Sequence, residues 1–154
     1  MYSKEEASKL RQQFWIAFGQ YMKPIPSAEG MSINWVNYKT GIKHISFKMD
    51  VSQKEAFLSI HINHPDAAVR MQYFEQFKAL NLLFIDALGE EWIWEAQATN
   101  EYGVPFSSIT KTLNDVNIFD QSSWPTIIPF LKSTIVALDE FWADVKPIFQ
   151  ALNH

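Results

Sequence analysis

The sequence predicts an α+β protein: a two-layer sandwich in which three helices cover one face of a mainly antiparallel sheet of about five strands, in the order α-βββ-α-ββ-α. Three observations carry this prediction. Ile45, Phe47 and Met49 alternate with His44, Ser46 and Lys48, and Ala56, Leu58, Ile60 and Ile62 alternate with Phe57, Ser59, His61 and Asn63. A period of two gives two strands, each with one face in a core. Apolar residues recur at helical spacing over three longer stretches, about 4–22, 67–88 and 124–152. Short turns join the strands, which makes neighbours antiparallel, and the helices then pack together on one sheet face.

The first helix is expected from Lys4 to Met22. Ser3 and Glu6 form a capping box before the stripe Ala7, Leu10, Phe14, Ala17, Phe18 and Tyr21, and Pro24 and Pro26 end it. Gly19 inside it costs about 1 kcal/mol relative to Ala and marks a close approach of helix to sheet. Ile33 to Tyr38 reads as the first strand. Lys39-Thr40-Gly41 fits a three-residue hairpin loop, which groups Ile33 and Trp35 with Ile45 and Phe47; a two-residue loop would turn Trp35 to the other face.

Strands two and three are expected over Ile42–Met49 and Glu55–Asn63, ended by Pro65. Asp66 caps a second helix, Ala67–Leu88, whose stripe is Met71, Phe74, Phe77, Leu80, Phe84 and Leu88, with Gly89 at its C′ position. Trp92, Trp94, Ala96 and Ala98 give a fourth strand. After the turn Asn100–Gly103 comes a weaker fifth, Val104–Thr112, whose Pro105 points to a sheet edge. Residues 113–121 read as a loop with a short extended piece at Asn117–Phe119. Ser122 or Ser123 then caps the last helix, Trp124–Leu152, with Pro125 in its first turn, Pro129 at a kink and Pro147 near a break.

At 154 residues the chain fits one domain, 1–154, large enough to bury a core without staples. The absence of cysteine removes disulfides, thiolate metal sites and thiol nucleophiles, and fits a reducing cytoplasm. No signal peptide or membrane span is expected. A formal charge of −4 argues against broad non-specific binding to nucleic acid. Aromatics at 15%, six of them Trp, call for a ring-rich core or for an exposed aromatic surface used in self-association or ligand binding.

Motifs for chemistry are sparse. No nucleophile elbow, phosphate-binding loop or dinucleotide fingerprint is present, so no catalytic residue, metal or cofactor is assigned. If Phe47 pairs with Leu58 and Ile45 with Ile60, His44 lies directly across from His61. Two imidazoles so placed could share a metal or titrate as a pair; a slip of two residues separates them without harming the core, and leaves two polar groups on a solvated face. His61 and His64 fall on opposite strand faces, and His154 is terminal. Asp139, Glu140 and Asp144 read as the solvated face of the last helix. Lys39, Lys43, Lys48 and Lys54 with His44, near Tyr38 and Phe57, form the one basic concentration, which also guards a sheet edge. The outer sheet face, Asn34, Val36, Tyr38, Ile42, His44, Ser46, Phe57, Ser59 and His61, mixes rings and polar groups as a subunit interface does.

Five segments carry a family resemblance: Y-S-K-E-E-A-S-K-L-R-Q-Q-F-W at 2–15, I-N-W-V-N-Y-K-T-G-I-K at 33–43, N-H-P-D at 63–66, L-G-E-E-W-I-W-E at 88–95 and A-L-D-E-F-W at 137–142. Together they resemble the uncharacterised bacterial family catalogued as domain of unknown function 4268 (DUF4268), especially its short stand-alone members. The resemblance spans almost the whole chain and implies a bacterial cytoplasmic protein, but it supplies no activity and no functional residue. Domains of this family are sometimes attached to restriction-type nuclease domains, which implies an indirect link to DNA processing or defence.

The expected function is that of a non-enzymatic interaction module that self-associates as a homodimer, through the mixed face or an edge strand. The alternative is a nucleic-acid-associated accessory protein. The candidate partner- or ligand-binding residues are His44, His61, Lys43, Lys48, Phe57 and Tyr38.

Overall fold

The computed structural model describes residues 2–152, so His154 lies outside the described residues. The chain runs α1 (Lys4–Met22), β1 (Ile45–Val51), β2 (Glu55–Ile62), α2 (Ala67–Ala79), α3 (Asn81–Leu88), β3 (Ile93–Thr99), β4 (Pro105–Asn114), a 3₁₀ turn (Gln121–Ser123) and α4 (Trp124–Gln150). The α+β class stands, with four strands and four helices in place of five and three.

Local chemistry explains most of the boundaries. Ser3 caps α1 by accepting from the Glu6 N–H, and Asp66 caps α2 by accepting from that of Ala68. Gly89, at φ +84°, closes α3 by donating to the Ile85 carbonyl. The expected single helix over 67–88 is interrupted at Leu80, whose ψ of 16° ends α2 and whose N–H is shared between the Gln76 and Phe77 carbonyls. The last helix carries Pro125, Pro129 and Pro147 within its span, so Pro147 does not break it.

All strand pairs are antiparallel, in the order β1-β2-β4-β3. Pro105 therefore opens a central strand rather than an edge one, at its first residue, where a missing N–H is tolerated. The edges are β1 and β3. The helices cover the face formed by Ile45, Phe47, Leu58, Ile60, Ile62 and Ile109, all buried. Phe14, Phe18, Phe74, Phe77, Phe84 and Phe149 fill the layer between, and none of the six tryptophans is exposed. The rings make the core. Four indoles also donate to loop or helix-end carbonyls: Trp35 to Ile25, Trp92 to Leu88, Trp124 to Ile118 and Trp142 to Thr40.

The largest departure is Ile33–Tyr38, which is not a strand; the hairpin at residues 39–41 goes with it. Residues 23–44 form an irregular strap that crosses to α4. Ile33 and Trp35 are two apart, as in a strand, but the segment packs into the core without joining the sheet: Trp35 is buried, and Tyr38 stacks on Phe47 with ring centroids 5.1 Å apart. Gly19 approaches this strap rather than the sheet, its nearest neighbour being Val36.

Candidate functional site

Two features created by the strap stand out, and Tyr38 borders both. The first is the outer edge of β1. Asn63 donates to the His44 carbonyl and Ser52 to that of Glu55. In an antiparallel ladder these bonds fix His44, Ser46, Lys48, Asp50 and Ser52 as the residues bonded toward β2, and turn the N–H and C=O of Ile45, Phe47, Met49 and Val51 outward. Both ends of that outward row are closed. The Ile45 carbonyl accepts from the Thr40 hydroxyl at 2.6 Å, and the Ile45 N–H donates to Ile42. The Val51 carbonyl accepts from the Arg11 guanidinium at 3.0 Å, and the Val51 N–H donates to the Asp50 carboxyl. Among the described residues nothing meets the N–H and C=O of Phe47 or Met49. A groove of about 620 Å³ runs beside them, lined by Val36, Asn37, Tyr38, Lys39, Lys48, Met49 and Phe57, among others.

The second feature is a cavity of about 380 Å³ between the strap and α4. Asp139 projects from α4 into its wall and is 5% exposed. Its carboxyl accepts from the Ala28 N–H at 2.8 Å and from the Tyr38 hydroxyl at 2.5 Å, so one buried side chain ties down two points of the strap. Burial, the hydrogen bond to Asp139, and the charges of Asp139 and Glu29 together push the Tyr38 hydroxyl far above its usual range; it remains a donor. Trp142, one turn on, donates to the Thr40 carbonyl and lies in the cavity wall, and Lys146 lies beyond.

The expected histidine pairing does not form. The register sets Ile45 against Ile62, Phe47 against Ile60 and Ser46 against His61, the two-residue slip. His44 instead has φ +73°, contacts Asn63 at 3.3 Å and lies with its ring centroid 4.6 Å from that of His64. His64 accepts from the Asp66 N–H through Nδ1 and so belongs to the start of α2. His61 stacks on Phe106 at 4.3 Å on the outer sheet face; burial first, then the Lys48 charge, lowers its pKa to about 4. Among the described residues no group of three or more His, Asp or Glu could hold a metal ion.

Residues 10–146 match the family described as Domain of unknown function (DUF4268). This chain belongs to the DUF4268 family. No curated protein and no solved structure matches it. The family match contains both the β1 edge and the Asp139 cavity.

Within this DUF4268 domain the six sequence-derived candidates divide. Tyr38, Lys48 and Phe57 meet along the β1 groove, joined by Lys39. Lys43 and His44 precede β1, and His61 lies on the sheet face away from the helices; none of the three lines the groove. Tyr38 leaves the expected outer face and turns inward to Asp139. Asp139 itself, expected on a solvated face, is buried, whereas Glu140 and Asp144 are exposed. The missed signal is its spacing: Ile135, Leu138, Asp139 and Trp142 share one helical stripe, which places a carboxyl on the apolar side. No helix among the described residues is long and apolar enough to cross a membrane.

Proposed function

We propose that this DUF4268 domain is a non-enzymatic interaction module that self-associates by joining the free edge of β1 to the same edge of a second copy. The observation that carries this reading is the row of four unmet backbone groups at Phe47 and Met49, in an edge that Thr40 and Arg11 close at either end. Proteins usually blunt exposed edges, and an edge left open beside a groove is suited to strand addition. A two-fold symmetric, antiparallel pairing centred on Lys48 sets Phe47 of one copy opposite Met49 of the other, and satisfies all four groups on each copy. Lys48 then faces its own counterpart, which is unfavourable, while Asp50 on each strand lies diagonal to that lysine and offsets the repulsion.

The test is sedimentation velocity over a range of concentrations, on the wild type and on Met49→Pro. Proline removes one free N–H at a position where an edge strand tolerates it. The wild type should shift towards twice the monomer mass, and the variant should stay monomeric with an unchanged far-UV spectrum. A wild type that stays monomeric throughout, or a variant that associates equally well, overturns the reading.

The nucleic-acid alternative has one observation behind it: Lys39 and Lys48 share a groove with the Phe57 ring. Asp50 lies in the same groove, and the net charge is −4. Salt-dependent retention of single-stranded DNA, lost in Lys48→Ala, would favour this reading over strand pairing.

A further inference from the structure

The cavity under the strap gathers charges of both signs that do not neutralise one another. Glu29, Lys39, Asp139 and Lys146 all line it. Among the described residues the one ion pair is Arg11–Asp50, so none of these four is paired. Buried acidic groups ordinarily have a cationic partner or are fully hydrogen-bonded. Asp139 has two neutral donors, Ala28 and Tyr38, and no cation. Each carboxyl oxygen accepts one of those bonds and keeps capacity for another.

The arrangement along α4 is directional. Asp139, Trp142 and Lys146 sit at i, i+3 and i+7, so they follow one face of the helix. The rise from Asp139 to Lys146 is about 10 Å. An acidic group stands at one end, an ammonium at the other and an indole between them. Glu29 adds negative charge close to the Tyr38 and Asp139 end. The Lys146 ammonium comes so near Gly41 that a Cβ there would collide with it. The volume, about 380 Å³, lies within the range of small-molecule sites. The wall is a 22-residue strap, 23–44, without regular structure, and long irregular segments inside a compact fold are more often functional than incidental.

We propose that this cavity binds a small zwitterion of the amino-acid class, its cationic nitrogen at Asp139 and Glu29, its carbon chain along Trp142, and its acid group at Lys146 and Lys39. Such a ligand meets a charge of opposite sign at each end: Asp139, buried, with Glu29 exposed at the rim, and Lys146, half-buried, with Lys39 exposed at the rim. Trp142 and Tyr38 both line the cavity between these charges. This inference does not rest on pairing through β1: Asn37, Tyr38 and Lys39 line both the cavity and the groove, but Glu29, Asp139 and Lys146 line the cavity and not the groove.

The test uses three probes of one chain length: 6-aminohexanoate, hexylamine and hexanoate. Binding is read by the shift of the Trp142 indole resonance in two-dimensional NMR and by titration calorimetry. The amino acid should bind at least about tenfold more tightly than either singly charged analogue. Asp139→Asn should weaken it by a similar factor. Since Asp139 also ties down the strap, Lys146→Gln is measured beside it; that rim variant should keep the fold and bring the amino acid down to the level of hexylamine. Absence of binding by all three probes, equal binding of the amino acid and an analogue, or unchanged binding in Lys146→Gln overturns the proposal.

Discussion

His61 shows how a single side chain on the mixed outer face of the sheet acquires consequences. Its ring lies half-buried on Phe106 and the Lys48 charge acts on it, so protonation in the folded state would bury a positive charge and set it against another. Its pKa falls from 6.5 to about 4. The unfolded chain therefore binds a proton that the folded chain refuses. The contribution is fully present above about pH 6.5 and is lost as the pH falls through the window down to about 4. With solvent screening allowed for, it amounts to on the order of 1–2 kcal/mol. Urea unfolding of the wild type and His61→Gln at a series of pH values checks this: the difference in stability should change across that window and be flat above it. Parallel curves would mean that His61 titrates alike in both states. His61 was legible from sequence as an outer-face residue, but its Phe106 partner was not, because that contact depends on the β2–β4 register, which no local pattern encodes.

Among the elements, β1 was readable and the segment before it was not. The alternation Ile45, Phe47, Met49 fixes a strand whatever its neighbours are. Ile33 and Trp35 share that spacing but belong to a strap, whose side chains enter the core without a ladder to β1. Helix breaking at Leu80 was equally hidden, because no Gly or Pro marks it. Thr40 shows what the strap does for the strand. Its hydroxyl donates to the Ile45 carbonyl and accepts from the Ile42 N–H, and the residue is buried. Thr40→Val keeps the shape and removes both bonds, leaving an N–H and a carbonyl unmet. A loss of about 1–3 kcal/mol is expected, seen as a lower urea midpoint with an unchanged slope. A change within about 0.5 kcal/mol would show that the hydroxyl does not close that end of the strand.

At the scale of the whole molecule, α4 holds the layers together. Its 27 residues span about 40 Å. One side meets the sheet and the other helices through Leu131, Leu138 and Phe149; the strap is fastened to it by Asp139 and by the Trp142 indole. The strap is the wall of the cavity and one bank of the β1 groove, so its fastening governs both. Its attachments are few and its backbone largely unladdered, the conditions under which a segment opens locally while the rest stays folded. Trp142→Phe retains an aromatic ring but leaves the buried Thr40 carbonyl without its donor. The cost, about 1–3 kcal/mol, should fall first on the strap. Trypsin supplies the readout, because Lys23, Lys39 and Lys43 lie within it. Cleavage at these three positions should accelerate about tenfold or more in the variant while sites in the sheet stay protected. Acceleration at Lys48 and Lys111 to the same degree would mean that the strap opens only with the whole fold, and that the groove and the cavity cannot open without global unfolding.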